Sequence, residues 1–371
     1  MRALAPRSRA AWSRGCAGPA PARPSHRTAG LRAASGNLDA FEDASPAWRN
    51  LRDLTPEERA LSALRSASLP MSNKRKTVLP AGVDAVPQVC LGLIGSKRPT
   101  ISTETQGELA AALTQLFRQA AHAGVLPPPP ARTKNAAGYE RWASQASMPP
   151  FTSIQVNFQY ASSPHVDANN VGPSYIRGLG DFTGGELVVE CGEMPRQRDS
   201  SKSAAITTEH DVSNTWHVFD GNARHWTRPF EGERYSIIYF VNSRFGRMSR
   251  EHFEQLRTLG FGVDGLPPPP LAMADAHKKS EQLAAEGYEV LLVRGAPTFA
   301  SAEFSRRGEP AEWVDSVRQS IRSAVGTPDV VVEGLLSHDK PSSSVLLAVP
   351  PGVTVALDNA RVERWKDSPP V

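Results

Sequence analysis

Short strand-like runs separated by glycine-rich turns occupy residues 151–242, and this pattern constrains the fold more than any other feature. Apolar and polar residues alternate from Ile154 to Tyr160, with the two-residue period of a half-buried β-strand. Several short strands with turn signals between them are typical of an antiparallel sandwich or barrel. We predict strands at 154–161, 174–179, 185–190, 216–220, 224–228 and 234–242.

Two histidines and one aspartate beside these strands form a candidate metal site. His165 and Asp167 are two residues apart, so in an extended chain their side chains share one face and can grip one ion together. His225 follows 58 residues after Asp167 and can supply a second imidazole. Two imidazoles and one carboxylate on one side of a metal suit non-haem Fe(II), because the other positions stay open for oxygen chemistry.

A guanidinium and a hydroxyl follow His225 at short range. Arg234 lies nine residues after His225, and Ser236 shares its face in the strand expected at 234–242. A guanidinium can bond both oxygens of a carboxylate at once. The two side chains therefore suit a dicarboxylate that binds beside the metal.

This arrangement resembles the Fe(II)/2-oxoglutarate-dependent dioxygenases, whose pattern is His-x-Asp, a distal His and then a basic residue, often within Arg-x-Ser. The nine-residue spacing between His225 and Arg234 looks most like the prolyl-hydroxylase branch. Residues 180–187, Gly-Asp-Phe-Thr-Gly-Gly-Glu-Leu, resemble the Gly-Gly turn of the family, and the resemblance covers about residues 85–250. It implies an α+β fold with a double-stranded β-helix (jelly-roll) core and flanking helices.

The resemblance also implies an enzymatic activity. The protein would use Fe(II), 2-oxoglutarate and O2, with ascorbate as a reductant, to hydroxylate a protein side chain or a small molecule, and would release succinate and CO2. His165, Asp167 and His225 would hold the iron, and Arg234 would bind the far carboxylate of 2-oxoglutarate. The other residues expected around the co-substrate are Ser236, Asn157, Tyr160 and Thr227, with Tyr239 as a further pocket residue.

Asn157 is a candidate because of the polar row in the first strand. Gln155, Asn157 and Gln159 are expected on one face, and the apolar residues from Ile154 to Tyr160 on the other. Buried amides without hydrogen bonds are costly, so a polar row on an inner face needs partners. A bound dicarboxylate would supply them.

Three alternatives stay open. His217 stands 17 residues before Arg234 and is the rival of His225 as distal ligand. The substrate could instead be a methylated nucleic-acid base, as in the TET and J-base-binding-protein oxygenases, which requires a positive groove around the pocket. The arginines that could form this positive groove by local clustering are Arg224, Arg228 and Arg244. The third alternative is an inactive jelly roll that serves as a binding module.

The basic charge of the chain is concentrated in its first residues. Seven arginines lie within residues 1–32, before the first acidic residue, and without them 35 basic residues face 38 acidic ones. Composition therefore gives no support to binding of a phosphate backbone. A basic stretch rich in Ala, Ser and Pro is typical of an organelle transit peptide, and a disordered arm is the alternative.

The cysteines and the hydropathy bear on compartment and membrane. Cys16, Cys90 and Cys191 are widely spaced and give no disulfide framework, which favours a reducing intracellular compartment. The cytoplasm or the nucleus is expected if the arm does not target an organelle. No apolar run approaches the roughly 20 residues of a membrane span, so we expect no membrane insertion. Composition does not indicate an oligomeric state.

We divide the chain into five parts: a basic arm (1–50), a helical lead-in (51–84), the dioxygenase domain (85–262), a stiff Pro-rich linker (263–274) and a small α/β domain of unknown role (275–371). Thr55 is expected to cap a helix that begins at Pro56, and Thr103 with Gln106 to form a capping box before an apolar stripe. The stripe is Leu109, Leu113, Leu116 and Phe117.

Two polar segments are expected to be surface loops. Lys74, Arg75 and Lys76 form a basic cluster that is too short to indicate nucleic-acid binding, so a solvated loop is favoured. Residues 192–213 form a polar insertion between barrel strands, either near the mouth of the site or as an inert excursion.

Overall fold

The computed structural model describes residues 54–94, 98–130, 133, 139–191, 206–294, 310–327, 329–337, 340–357 and 360–367. The chain divides into residues 1–52 and 53–371, and every described residue belongs to the second unit. The basic arm and residues 192–205 of the polar insertion lie outside the described residues. Among the described helices, none has both the length and the apolar character that a membrane span requires.

The described residues form seven α-helices and fifteen strands. The helices are α1 (Pro56–Ser66), α2 (Ile101–Thr105), α3 (Gly107–His122), α4 (Tyr139–Gln145), α5 (Arg250–Thr258), α6 (Met273–Ala285) and α7 (Pro310–Val325). The strands are β1 (Met71–Ser72), β2 (Val86–Gly92), β3 (Ser153–Phe158), β4 (Asn170–Leu179), β5 (Phe182–Gly184), β6 (Leu187–Cys191), β7 (Ile206–His210), β8 (His217–Phe219), β9 (His225–Thr227), β10 (Phe230–Gly232), β11 (Tyr235–Asn242), β12 (Glu289–Arg294), β13 (Val331–Ser337), β14 (Lys340–Val349) and β15 (Arg361–Arg364).

The first eleven strands form antiparallel sheets. The largest sheet has the order β1-β2-β3-β11-β4-β8, a second has the order β7-β6-β9, and β10 pairs with β5. Antiparallel sheets and flanking helices agree with the predicted α+β class. The connectivity of a complete double-stranded β-helix stays a prediction.

The two faces of the large sheet have different tasks. Val156, Ile237 and Tyr239 lie on the face that packs into the main hydrophobic core with α1 and α3. Ser236 pairs with Asn157 across β11 and β3, and their side chains line a cavity on the opposite face. Tyr239 is fully buried in the core and donates from its hydroxyl to Leu113 O. The expectation that Tyr239 lines the pocket was therefore wrong.

The predicted helix before the barrel is divided in two. Thr100 caps α2, and the backbone of Gln106 leaves the helical region (φ −124°, ψ 47°), so α3 begins at Gly107. The capping box predicted for Thr103 and Gln106 does not form. The apolar stripe is confirmed, because Leu109, Leu113, Leu116 and Phe117 are buried. Full burial of such side chains stabilises the fold by about 1.5–3 kcal/mol each.

The lead-in helix begins as predicted. Thr55 accepts a hydrogen bond from Glu58 N, the Glu58 carboxylate accepts from Thr55 N, and Pro56 opens the helix. These contacts satisfy two backbone N–H groups that the first turn leaves without partners. Leu64 on α1 is buried in the core beside α3.

The C-terminal strands form a sheet of their own, in the order β13-β14-β12-β15. Helices and strands alternate as expected, but every strand pair is antiparallel, so the unit is not a parallel α/β sheet. The last strand of this sheet lies at Arg361–Arg364. The assignment of residues 275–371 as a separate domain stays a prediction.

The segment expected to be a stiff linker is packed instead. Val263 and Leu266 are buried in the main core, and Leu271 is buried in the core of the C-terminal sheet. Leu271 N also donates to Gly334 O at 2.8 Å. Glu333, next to that glycine on β13, accepts from Arg250 on α5 at 2.7 Å and from Arg318 on α7 at 2.9 Å. Residues 263–271 and this ion-pair network connect the main core to the C-terminal sheet.

Candidate metal centre

Backbone pairing brings the two candidate histidines together. His165 and His225 form an isolated antiparallel bridge, with N–O distances of 3.0 and 2.9 Å, and their ring centroids are 4.2 Å apart. Asp167 N donates to Gly221 O at 2.8 Å, which fixes the aspartate two residues further on. His165 lies outside strand β3, which ends at Phe158, so a single bridge positions it.

The three side chains converge on one point. Nε2 of His165 is 3.8 Å from Oδ1 of Asp167, and Nε2 of His225 is 3.8 Å from Oδ2 of Asp167. Their ligand atoms all lie within 4.8 Å of one another. Within the described residues this is the one group of three or more such side chains that could hold a metal ion. Two imidazoles and a carboxylate form a possible metal site.

Hydrogen bonds fix the histidine tautomers. Nδ1 of His165 is 2.7 Å from Ser163 O, and Nδ1 of His225 is 2.9 Å from Ala223 O. A carbonyl oxygen only accepts, so Nδ1 of each ring carries the proton and Nε2 keeps its lone pair for a metal. Because both nitrogens that face Asp167 are Nε2, the rings are oriented as metal ligands.

The site keeps both imidazoles neutral. Burial, with the neighbouring His225, lowers the pKa of His165 to about 4. Burial also lowers the pKa of His225, against the opposing effect of Asp167. A neutral imidazole is the form that binds a metal, so the histidines need not lose a proton near neutral pH.

Arg75 contacts the carboxylate of this cluster. Its Nη2 donates to Asp167 Oδ1. Arg75 belongs to the basic cluster that we expected to form a solvated loop. For Arg75 this expectation was wrong, because its side chain contacts Asp167 in the cavity. Lys74, Arg75 and Lys76 all line the cavity that contains the three candidate ligands. The basic composition of the cluster is visible in the sequence, but no motif relates Arg75 to Asp167, 92 positions later.

The cavity has a volume of about 920 Å³. That volume is at the upper end of the range for small-molecule sites, so it can hold a co-substrate and part of a substrate together. The large sheet contributes Gln155, Asn157 and Ser236 as polar lining. The apolar lining includes Ile176, Leu187, Phe219 and Ile238.

Arg234 lies beside the cavity but is not part of its lining. The side chain is 2% exposed, and Nη2 donates to Gly185 O at 3.0 Å. Its guanidinium carbon is 5.4 Å from the Phe182 ring centroid and 5.2 Å from that of Phe230, and Nε has no hydrogen-bond partner among the described residues. Burial lowers the pKa of Arg234 to about 10. A buried cation with this little neutralisation is suited to an anionic ligand.

Gly185 leaves space for the Arg234 side chain. A Cβ at Gly185 would lie 2.7 Å from Arg234 Nε, and its φ of +75° is one that other residues rarely adopt. The Gly-Gly sequence singled out above therefore gives room to the arginine as well as turning the chain into β6.

The polar row of β3 has internal partners. Asn157 Oδ1 accepts from Gln155 Nε2 at 2.9 Å and from the Tyr160 hydroxyl at 2.8 Å. We expected Tyr160 on the apolar face. Gln159 has φ +54°, which ends the alternation and brings Tyr160 to the side of Asn157. Since Oδ1 is used, the amide N–H groups of Asn157 are its donors for a ligand in the cavity.

The remaining candidates divide between the cavity and the periphery. Ser236 and Thr227 line the cavity, and Thr227 shares a 3.0 Å hydrogen bond with Ser162. His217 Nε2 lies 2.6 Å from Asp211 O, beside His210, and is not in the ligand cluster. Arg224 pairs with Glu190, and Arg228 pairs with Glu209, so carboxylates neutralise both.

The sequence matches no protein-family model and no curated protein. Among solved structures, the chain is similar to an oxidoreductase of the 2OG-Fe(II) oxygenase family from Burkholderia pseudomallei, with 18% identity and a TM-score of 0.28 over 57% of this chain and 92% of that one. A prolyl hydroxylase from Trichoplax adhaerens, in complex with a peptide fragment of the hypoxia inducible factor oxygen degradation domain, has 12% identity and a TM-score of 0.26 over 54% and 78%.

A third similar structure is NgTET1 in complex with 5mC DNA, with 16% identity and a TM-score of 0.29 over 42% of this chain and 60% of that one. The chain is thus similar to members of the 2OG-Fe(II) oxygenase family at the level of fold. Identities and TM-scores this low carry no argument about substrate or reaction, which must come from the side chains.

Proposed function

We propose that the protein is an Fe(II)- and 2-oxoglutarate-dependent dioxygenase that hydroxylates a protein side chain or a small molecule. The convergence of His165, Asp167 and His225, with both Nε2 atoms turned toward the carboxylate, is the observation that carries the proposal. The assignment of these residues as iron ligands, and of the residues around the co-substrate, is part of this proposal.

The donor set fits ferrous iron. Two neutral imidazoles and one carboxylate are the mixed nitrogen and oxygen ligands that non-haem iron takes in a facial arrangement. Ser163 O and Ala223 O hold the rings through Nδ1, so both Nε2 atoms are ready to bind. When bound, iron together with 2-oxoglutarate and O2 supplies the oxidising chemistry of hydroxylation, with succinate and CO2 as co-products.

The side chains around the cluster bind and orient the co-substrate in this proposal. Arg234 offers a buried cation without a carboxylate partner among the described residues. Asn157 and Ser236 are cross-strand neighbours in the cavity and offer amide and hydroxyl donors. The apolar walls made by Ile176, Leu187 and Phe219 exclude water from the reacting groups.

The test measures succinate released by the full chain with Fe(II), ascorbate and 2-oxoglutarate. We expect slow release without an added substrate, and its loss in Asp167→Ala. His217→Ala is the matched control, because it removes an imidazole that lies outside the cluster. No succinate from iron-loaded protein would instead favour the inactive binding module. Release that survives in Asp167→Ala would contradict the proposed ligand set.

A further inference from the structure

A fixed basic loop borders the cavity. Residues 73–77, which we call the basic lip, follow β1 directly and line the cavity together with His165, Asp167 and His225. Lys74 and Lys76 are exposed, whereas the Arg75 side chain is 33% exposed and contacts Asp167. The lip therefore presents two lysines to solvent at the edge of the candidate metal site.

Both ends of the lip are anchored. On one side, β1 pairs with β2 through Met71 and Ser72. On the other side Val78 is buried, and its carbonyl accepts from Ser163 N at 2.9 Å. The carbonyl of Ser163 is also the partner of His165 Nδ1. A single residue thus joins the lip to a candidate iron ligand, which fixes the distance between them.

The charge of the cavity is strongly unbalanced. Its lining contains Lys74, Arg75 and Lys76, and Asp167 as the one acidic residue among the described lining residues. Arg75 uses that carboxylate, and neither lysine has an ion-pair partner in the described part of the chain. This edge of the cavity is therefore cationic and attracts an anion.

The surface around the lip favours a peptide over a nucleic acid. Ile94 and Val166 line the cavity and are 42% and 48% exposed, and Met71, just before the lip, is 64% exposed. Binding of single-stranded nucleic acid uses exposed aromatic side chains on which successive bases stack. No aromatic residue is among the exposed large hydrophobic residues in the described ranges. Apolar aliphatic groups beside two lysines match a peptide that alternates acidic and aliphatic residues.

We propose that the basic lip recognises an acidic peptide segment, whose carboxylates pair with Lys74 and Lys76 while an aliphatic side chain packs on Ile94 and Val166. That this peptide is the substrate rests on the proposed function, but its binding does not. The lip would then select substrates by charge close to the reacting centre.

The experiment measures fluorescence anisotropy of a fluorescein-labelled peptide of alternating Glu and Leu with the full chain. A Gln-Leu peptide and a single-stranded oligonucleotide of equal length are the comparison probes. We expect the acidic peptide to bind best, and Lys74→Gln/Lys76→Gln to weaken it roughly three- to thirtyfold, since each exposed ion pair contributes little alone. The matched control is Lys278→Gln/Lys279→Gln on α6, which removes the same charge elsewhere and should bind as the unsubstituted protein does.

Each other outcome would overturn the proposal. Equal binding of the Glu-Leu and Gln-Leu peptides would mean that the lip does not select charge, and equal weakening in both double variants would mean that only net charge matters. Tighter, lip-dependent binding of the oligonucleotide would assign the subsite to a nucleic acid. Measuring succinate release beside peptide binding separates the two proposals. Lys74→Gln/Lys76→Gln can lose peptide binding and still release succinate. Unsubstituted protein that binds the peptide but releases no succinate would contradict only the proposed function.

Discussion

Oδ1 of Asp167 accepts a hydrogen bond from Arg75 and also lies 3.8 Å from Nε2 of His165. One oxygen thus faces a guanidinium and a candidate metal-binding nitrogen together. A metal ion held by Asp167 and His165 would share that carboxylate with a fixed positive charge. Arg75 therefore weakens the attraction of the site for a cation.

Arg75→Gln is expected to tighten Mn(II) binding roughly fivefold, because the substitution removes a partly exposed positive charge from the site. The electron paramagnetic resonance signal of free Mn(II) measures the affinity under anaerobic conditions. Lys278→Gln, on α6, is the charge-matched control and should leave the affinity unchanged. Weaker binding in Arg75→Gln would show that the guanidinium mainly orients the carboxylate.

His225→Ala is expected to lose stoichiometric iron, because it removes one of three converging ligands. Disturbing an outer hydrogen-bond partner of a ligand reduces metal affinity about tenfold to a hundredfold. Loss of the ligand itself should reduce the affinity by at least as much. Metal analysis of the purified protein gives the iron content. His217→Ala should retain its iron, since His217 lies beside His210, outside the cluster. The reverse result would transfer the ligand role to His217.

The metal-free protein should lose stability as the pH falls from 6.5 toward 4. Burial lowers the pKa of His165 to about 4 and also lowers that of His225, from an ordinary value of 6.5 for each. In this interval the unfolded chain binds protons that the folded protein does not, so the free energy of unfolding rises with pH. Urea denaturation at pH 5 and pH 7 tests this. The free energy of unfolding of His165→Gln should differ less between the two pH values than that of the unsubstituted protein. An equal difference in both proteins would mean that His165 does not contribute to the pH dependence.

Arg234→Met is expected to separate stability from co-substrate binding. The buried guanidinium has one carbonyl acceptor, Gly185 O, and an Nε without a partner among the described residues, so its removal should leave the free energy of unfolding unchanged or raise it. The rise in Tm on adding 2-oxoglutarate with Mn(II) should disappear. Arg257→Met, at an exposed ion pair on α5, should keep that rise. If Arg234→Met keeps it too, another residue binds the far carboxylate.

Glu333→Leu should destabilise the protein by about 3 kcal/mol, because Arg250 and Arg318 would both lose a largely buried carboxylate partner. Chemical denaturation measures the change. Glu254→Gln is the comparison, since it breaks an exposed ion pair with Arg257 and should cost less than about 1 kcal/mol. Similar costs for both variants would mean that the Glu333 network contributes little.

Local rules predicted the parts of the fold that depend on local sequence. The capping residues of α1 and the apolar stripe of α3 follow from spacing along a helix, and both were confirmed. The break at Gln106 was missed because Thr103 and Gln106 also satisfy the pattern of a capping box. Two caps compatible with one stretch cannot be distinguished without the tertiary contacts that select one.

The candidate ligands could be chosen from their order in the chain, but not the contacts around them. Arg75 reaches Asp167 across 92 positions through a loop fixed by β1 and Val78, and sequence spacing carries no such information. Tyr160 was placed on the wrong face because alternation was extended through Gln159, whose positive φ reverses it. Side-chain identity thus predicts the chemistry of the site, whereas the neighbours depend on backbone geometry that identity does not specify.

The burial of residues 263–271 bears on how this protein can be shortened. Gly265 sits so close to the backbone of α4 that a Cβ there would lie 2.3 Å from Trp142 O, and Leu266 fills the adjoining core. A chain shortened to end at residue 262 would lack Val263 and Leu266 and would expose the apolar core residues that they cover. Aggregation of such a shortened product would report this uncovered surface and would say nothing about whether the iron chemistry is present.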